Sequence, residues 1–375
     1  MGDAGEIAIS RGRAGTLFGT MAAFTERSAS RVEAPCVHAE ACGGCPLMGL
    51  SDDAEAEWKR SLVADATGVD VAWVGAERLA YRRRARLRFV DGRVGYRRRG
   101  ARALVAVGEC VVLAQPVAHA LERFQGLLLP SLRGAGEVHF AQSGESALAL
   151  VRADRQPAEA YRAAEALSEE LEGVILEVDG SRAVFGSDRE VLRHADGQSI
   201  ACEAGGFSQA HGLNERLVQA VANAARSFST RRGLSPLRVL ELYSGYGNFT
   251  VALAHAHEVT AVELDASAVM HARANLAQRG LSAKLVEGDS DAHAERDSDL
   301  LLVDPPRAGA RHALAGWLGV QGKGPRCVLY VSCDTATLRR DLGMLRGAGF
   351  RVVKATAFDL FPQTAHVESF VVLER

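Results

Sequence analysis

The sequence predicts an α/β chain, with a doubly wound sheet in its C-terminal half and an α+β region with antiparallel pairing ahead of it. Two patterns carry this expectation. After Gly206, short apolar runs alternate with helical segments, the mark of a mainly parallel sheet covered on both faces. From Tyr81 to Leu113 the apolar positions alternate with polar ones, and Asp91-Gly92 interrupts them as a hairpin turn. Composition agrees: 375 residues, 47% hydrophobic and 24% charged, exceed one ordinary domain and can bury a large core.

Taken in order, residues 1–35 are polar and hold at most a strand or two around Thr16–Phe24. Residues 36–50 form a cysteine-rich loop. Ala54–Ala66 reads as a helix because Trp58, Leu62 and Val63 recur at helical spacing, and it is a candidate to pack on the C-terminal domain. Helices are expected at Val117–Leu129 and Pro157–Glu172, with strands at Ser146–Arg152, Gly173–Val178 and Arg182–Phe185. The later strands are Arg238–Leu242, Glu258–Val262, Lys284–Glu287, Leu300–Val303, Cys327–Val331, Arg351–Phe358 and Ser369–Leu373. Helices Asn248–Ala256, Ser267–Gln278 and Thr335–Gly347 fall between them. The expected units are a segment 1–35, a central domain 36–205 and a C-terminal domain 206–375.

No apolar run approaches the roughly 20 residues that span a bilayer. The opening MGDAGEIAISRGRAG has no apolar signal core, so a cytoplasmic location with reduced thiols is expected. Net charge is −2, yet eleven arginines lie between Arg78 and Arg102 against one acid, Asp91. YRRRARLRF and GYRRRGAR place Arg82, Arg84, Arg97, Arg98 and Arg99 on the two arms of the hairpin. Guanidinium forks bind phosphates and stack on unpaired bases, which suits RNA, and Tyr81 and Tyr96 are candidates to extend that stacking.

RVLELYSGYGNFTVALA is a strand, a tight Gly245-Tyr246-Gly247 turn and a helix. It lacks the third glycine of a dinucleotide fingerprint. VTAVELD ends the next strand with Glu263, a carboxylate placed to accept both ribose hydroxyls. An adenosine-type ligand such as S-adenosylmethionine fits this site better than a dinucleotide. Three further motifs follow: DLLLVDPPRAG, VLYVSCDTATLRRDL and FDLFPQTAHVES. The middle one sets Cys333 at a strand end, where α/β sheets place their chemistry, and Glu368 follows as a separate base. If the reacting carbon is C5 of a uracil, a thiolate added to C6 makes C5 nucleophilic, and a base must then remove the C5 proton.

CVHAEACGGC supplies Cys36, Cys42 and Cys45, and GEC supplies Cys110. Four thiolates with a C-x2-C pair suit zinc or an iron–sulfur cluster, and spacing alone does not decide. Cys202 and Cys327 read as core residues.

With FSQAHGLNERL, LELYSGYGNFT, AVELD, LLVDPPRAG, VLYVSCDTATLRRDL and FPQTAHVES in hand, the chain resembles the bacterial RNA (uracil-5-)-methyltransferase family from about Cys36 onward. The resemblance implies a Rossmann-like class I S-adenosylmethionine methyltransferase domain behind an α+β domain with a cysteine-ligated cluster. It implies Cys333 as nucleophile and Glu368 as base. It also implies that Gln209, Tyr243, Glu263 and Asp304, with Gly245 and Asn248 beside them, line the cofactor and base pocket. It favours a [4Fe–4S] cluster over zinc, and 23S rRNA as the RNA partner of a monomeric enzyme with no membrane or protein partner. The RNA-binding β-barrel (TRAM) domain that opens many members is at most a remnant in 1–35, so RNA selection is expected to rest on the central domain.

Three positions depart from the family pattern: Ser244 in the glycine turn, His211 after Gln209, and Asp334-Thr335 after the nucleophile. Asp334 would tend to raise the thiol pKa. The alternatives are the same chemistry on a tRNA uridine, which the four cysteines disfavour, and a non-catalytic RNA-binding protein with a degenerate fold. Intact Cys333, Glu368, Glu263 and Asp304 count against the second.

Overall fold

The computed structural model describes residues 4–11, 17–293, 297–318 and 324–375. Strands β1 (Ala4–Arg11) and β2 (Leu17–Glu26) pair antiparallel. Thr16, where a strand was expected to begin, lies outside the described residues. Helix α1 (Asp52–Thr67) and the short strand β3 (Val71–Val74) follow.

Next comes a run of strands and helices: β4 (Arg84–Val90), β5 (Arg93–Arg97), β6 (Leu104–Ala106), α2 (Gln115–Arg123), β7 (Ala135–Ser143), β8 (Ser146–Ala153), α3 (Ala158–Ser168), β9 (Gly173–Val178) and β10 (Ser181–Gly186). Its strands form one seven-stranded sheet in the order β10-β9-β8-β7-β4-β5-β6. Asp91 and Gly92 both have positive φ, 47° and 75°, which a two-residue hairpin matching strand twist requires. Ala85, Leu87 and Phe89 alternate inward on β4 and pack with Val117, Leu121, Ala164 and Leu167 of the covering helices. Two expectations are corrected here. Pairing is not antiparallel throughout, because β8 and β9 run parallel. The helix α3 between them carries the chain back to the starting edge, as a parallel pair needs. The helix expected over Val117–Leu129 is regular only to Arg123 and continues as a π turn, Phe124–Leu128, and a 3-10 turn, Leu129–Ser131, that contains Pro130.

A small hairpin of β11 (Arg189–Arg193) and β12 (Ser199–Glu203) leads to α4 (Asn214–Arg232). The last unit contains β13 (Arg238–Leu242), α5 (Asn248–Ala254), β14 (Glu258–Glu263), α6 (Ala266–Ala277), β15 (Lys284–Glu287), β16 (Leu300–Val303), α7 (Arg311–Leu318), β17 (Cys327–Ser332), α8 (Thr335–Gly347), β18 (Arg351–Phe358) and β19 (Glu368–Glu374). Its eight-stranded sheet has the order β15-β14-β13-β16-β17-β19-β18-β3. The strands from β15 to β17 are parallel, and β19 runs antiparallel between β17 and β18. Burial on both faces explains why β16 and β17 are nearly continuous apolar runs. The far edge is β3, which pairs in parallel with β18 (Val71↔Ala355 to Val74↔Phe358) although it precedes the seven-stranded sheet in the chain. Helix α1 lies over β3 and β18 and against α8. Among the described residues no helix is long and apolar enough to cross a membrane.

Candidate active site and cysteine cavity

Strand order reverses at β13, with β14 on one side and β16 on the other. A ligand crevice is expected outside the carboxyl ends of strands at such a point. A cavity of about 760 Å³ lies there and is lined by Gln209, Tyr243, Gly245, Asn248, Glu263, Asp304, Cys333 and Glu368. The strand register brings these residues together. Leu242 pairs with Val262 and Val303, so Tyr243, Glu263 and Asp304 leave adjacent strands at one level. Ser332 pairs with Ser369 across the antiparallel β17–β19 ladder, which sets Cys333 opposite Glu368.

The glycine turn is shaped for close approach. Gly245 and Gly247 have φ of 56° and 89°, and a Cβ on Gly247 would meet Ala272 at 3.3 Å. Tyr243 also has positive φ, 62°, a strained value for a large side chain at a ligand-facing strand end. Its N–H donates to Ser290 Oγ at 3.0 Å and its hydroxyl to Asp291 at 2.5 Å. The Glu263 carboxylate accepts from the Gly245 and Asp265 N–H groups, both at 2.9 Å, which fixes its plane and leaves lone pairs for a ligand. Asn248 lines the cavity, but its amide is paired in both directions with the Asn214 amide at 3.0 and 3.1 Å. It therefore holds α5 to α4.

Burial and mutual repulsion dominate the electrostatics. Burial pushes the Cys333 thiol up to about 11, with Glu368 and then Asp304 adding to the rise and Arg307 opposing it. Glu368 is 1% exposed and sits well above the usual carboxylate range, from burial first and Asp304 second. Burial raises Asp304 too. Beneath them, burial raises Glu241 to about 8, and only one of its carboxyl oxygens is bonded, to the Thr250 hydroxyl at 2.7 Å. The Asp334 carboxylate caps α8, accepting from Ala336 and Thr337 N–H at 3.0 and 2.9 Å, and the larger acidic influences on the thiol come from Glu368 and Asp304. Arg307, which had drawn notice only as part of its motif, lies on the cavity within hydrogen-bond reach (3.3 Å) of His366.

Two buried networks hold the loops that frame the cavity. Asp341 accepts from the Tyr330 hydroxyl (2.6 Å), Ala310 N–H (2.7 Å) and Arg340 (2.8 Å), pinning the Asp304–Ala310 loop to α8. Lys59, fully buried, contacts Glu55 at 2.6 Å and Asp359 at 2.7 Å and donates to the Phe361 carbonyl at 2.9 Å. Glu55 in turn meets Arg78 at 2.8 Å and accepts from Gln363 N–H at 2.7 Å. Phe361, another cavity residue that the sequence reading missed, stands on the loop so held.

Cys36, Cys42, Cys45 and Cys110 line a second, smaller cavity with Ala39, Met48, Arg82, Tyr96, Val111 and Val112. Among the described residues no group of three or more His, Cys, Asp or Glu side chains is arranged to hold a metal ion. The four thiols share one cavity. Burial raises Cys45 to about 12, with Cys110 the next cause. The Tyr96 hydroxyl is buried here without a hydrogen-bond partner. The cysteine loop is already joined to the hairpin by its backbone, through Gly43 N–H to Arg97 O (3.0 Å) and Arg99 N–H to Ala41 O (2.9 Å).

The arginines divide into two sets. Arg97, Arg98 and Arg99 are exposed and line an open groove of about 860 Å³ with Arg86, Arg88 and Arg102. Arg82 and Arg84 do not face solvent in the same way. Arg82 lines the cysteine cavity and donates to Arg84 O at 2.9 Å, while Arg84 serves Gly206 O at 2.6 Å and Ser208 Oγ at 3.0 Å beside buried Glu190. Tyr81 is also corrected as a stacking platform: it is buried, stacks on His211 at 4.9 Å and donates to Pro362 O at 3.1 Å. Tyr96 is half-buried and lines both the arginine groove and the cysteine cavity, with its hydroxyl turned inward.

Comparison with known proteins adds the following. The family described as tRNA (uracil-5-)-methyltransferase matches residues 293–375, and the methyltransferase small domain matches residues 225–315. The 23S rRNA (uracil(1939)-C(5))-methyltransferase RlmD of Aeromonas hydrophila is 32% identical over 377 residues, covering 93% of this chain and 83% of that protein. Its namesake in Pseudomonas putida is 30% identical over 403 residues, covering 100% and 87%. Among solved structures, the Pyrococcus abyssi tRNA (uracil-54, C5)-methyltransferase in complex with S-adenosyl-L-homocysteine superposes with a TM-score of 0.75 at 21% identity, over 98% of this chain and 91% of that one. At that identity the likeness speaks for the fold.

Proposed function

The chain belongs to the family of 23S rRNA (uracil-C5)-methyltransferases, and from that premise we propose that it methylates C5 of a uridine in 23S rRNA. The observation that carries the chemistry is the β17–β19 register, which sets Cys333 and Glu368 face to face inside a cavity that also holds the glycine turn and Glu263. S-adenosylmethionine, when bound, supplies the methyl group and a sulfonium positive charge.

Glu263 would accept the ribose hydroxyls, and the Gly245–Gly247 turn would let the backbone close on the ligand. The target uridine must leave its stack to reach the cavity. The Cys333 thiolate adds to C6, the electron pair moves toward C5, and C5 takes the methyl group. Glu368 then removes the C5 proton, the double bond reforms, and the C6–sulfur bond breaks to return the thiolate. A carboxylate whose pKa is raised by burial holds the proton it removes, which favours this second half. Arg307 is the cation that opposes the acids around the thiol.

The same reading assigns residues 206–375 as the methyltransferase domain, with α1 and β3 packed onto it, and 36–205 as the cluster and RNA-binding region. Cys36, Cys42, Cys45 and Cys110 would hold a [4Fe–4S] cluster, whose iron–thiolate bonds would cross-link the cysteine loop to the segment after β6. Two features support this fit. One cavity is lined by all four thiols, the donor type that iron–sulfur clusters take, and Tyr96 leaves an unused donor there. The exposed Arg97, Arg98 and Arg99 groove would receive RNA phosphates.

The test uses purified enzyme, S-adenosylmethionine and transcripts of 23S rRNA and tRNA. We expect 5-methyluridine at a discrete rRNA position, none after Cys333→Ala, and a denaturation-resistant RNA adduct with Glu368→Gln. Methylation that persists in Cys333→Ala would overturn the mechanism.

A further inference from the structure

Tyr96 sits on β5 immediately before the exposed Arg97, with its hydroxyl in the cysteine cavity. A buried O–H without a partner loses its hydration with nothing in return, so its position calls for an acceptor. The cavity wall narrows the choice. Ala39, Val111 and Val112 offer no side-chain acceptor, Met48 only a weak thioether, and Arg82 donates without accepting. Among the side chains, the sulfurs of Cys36, Cys42, Cys45 and Cys110 remain, together with whatever those sulfurs bind.

The charges point the same way. Four thiolates around a cluster make a buried anionic group, which is costly without a cation nearby. Arg82 lies on the wall of this cavity, and its Nε is already fixed by the Arg84 carbonyl.

We propose that the Tyr96 hydroxyl donates a hydrogen bond to a sulfur of the cluster and that Arg82 supplies the balancing positive charge. The inference rests on the iron–sulfur reading above. A hydrogen bond to a cluster sulfur stabilises the more negative, reduced state, and such bonds are among the factors that set a cluster's reduction potential. The place of Tyr96 at the end of β5 then gives the bond a second role. With the Tyr96 hydroxyl held on the cluster, Arg97, the next residue and the last of β5, is held at the groove, and Arg98 and Arg99 follow it beyond the strand. The cluster would thus set the register of the RNA-facing arm as well as the fold of the cysteine loop.

The experiment compares anaerobically reconstituted wild type, Tyr96→Phe, and protein carrying a fluorinated tyrosine at position 96. Iron and acid-labile sulfide are assayed first, and a wild type that binds neither rejects the iron–sulfur reading itself. With that reading intact, Tyr96→Phe should keep its iron and sulfide but shift the midpoint potential to a more negative value. It should also lose part of the deuterium-sensitive shift of the iron–sulfur stretching bands. The fluorinated residue, a stronger donor of nearly the same shape, should move the potential the opposite way, and it serves as the test if Tyr96→Phe does not fold. Potentials and bands unchanged by either replacement would overturn the proposal.

Discussion

Lys59→Met is the most informative single change for the frame around the active site. The ammonium group is fully buried between Glu55 and Asp359 and also holds the Phe361 carbonyl. Methionine fills much of the same volume, so the lost charge dominates over any cavity. Glu55 keeps Arg78 at 2.8 Å, whereas Asp359 loses its counter-ion. Breaking a buried pair from one side costs about 3–5 kcal/mol, because the remaining charge stays desolvated. The assay is equilibrium urea unfolding at pH 7, followed by tryptophan fluorescence. Asp359 already has its pKa raised by burial, and without Lys59 it should rise further. The folded state would then hold a proton that the unfolded state releases, so the deficit should grow as pH rises above the ordinary aspartate range and shrink as pH falls toward it. Asp359→Asn in the Lys59→Met background should recover part of the loss. A loss below about 1 kcal/mol with no pH dependence, as a solvated surface pair would give, would refute the reasoning.

Two further predictions concern the site and the groove. Alkylation of Cys333 by iodoacetamide should be slow at neutral pH and rise about tenfold per unit until pH approaches 11, since only the thiolate reacts. Glu368→Gln should lower that pKa and speed alkylation at a given pH, while Asp334→Asn should leave the rate unchanged; the reverse ranking would contradict the capping assignment. Replacing Arg97, Arg98 and Arg99 together with glutamine should flatten the salt dependence of RNA binding by about 2 in log–log slope, from about 0.7 per phosphate contact on single strands. An unchanged slope, measured by filter binding across a salt series, would make that groove a solvated surface only.

The reacting end of the chain was legible because its strands are buried on both faces. LLLV and CVLYVS can be little else, and the residues that follow them fall at the carboxyl edge by topology. Helix α1 shows the opposite case. The sequence marks Trp58, Leu62 and Val63 as the inner face, whereas the buried stripe is Glu55, Lys59, Val63, Ala66 and Thr67. Charged residues read as solvated until their partners, here hundreds of residues away, are known. The arginine hairpin was misjudged for a related reason. Alternation assigns residues to two faces, but it cannot say that a cysteine loop covers one end of one face, which draws in Arg82 and Tyr96. β3 escaped notice because four residues give too short a pattern, and its partner lies at the other end of the chain.

That edge strand has a consequence for how the protein is made. β18 and β19 leave the ribosome after the other strands of their sheet, while β3 has already emerged ahead of the whole seven-stranded unit. The middle unit can condense during synthesis from its own hairpins and helices. The larger sheet must wait for its final strands, and until β3 docks, β18 presents an open row of backbone donors and acceptors. Such edges recruit other chains. Closing a loop of this length adds little entropy cost over closing a shorter one, so capture by β3 remains thermodynamically accessible despite the distance. The four residues Val71–Val74 thus act as a latch, and newly synthesised protein that lacks them should aggregate before any enzyme activity can be measured.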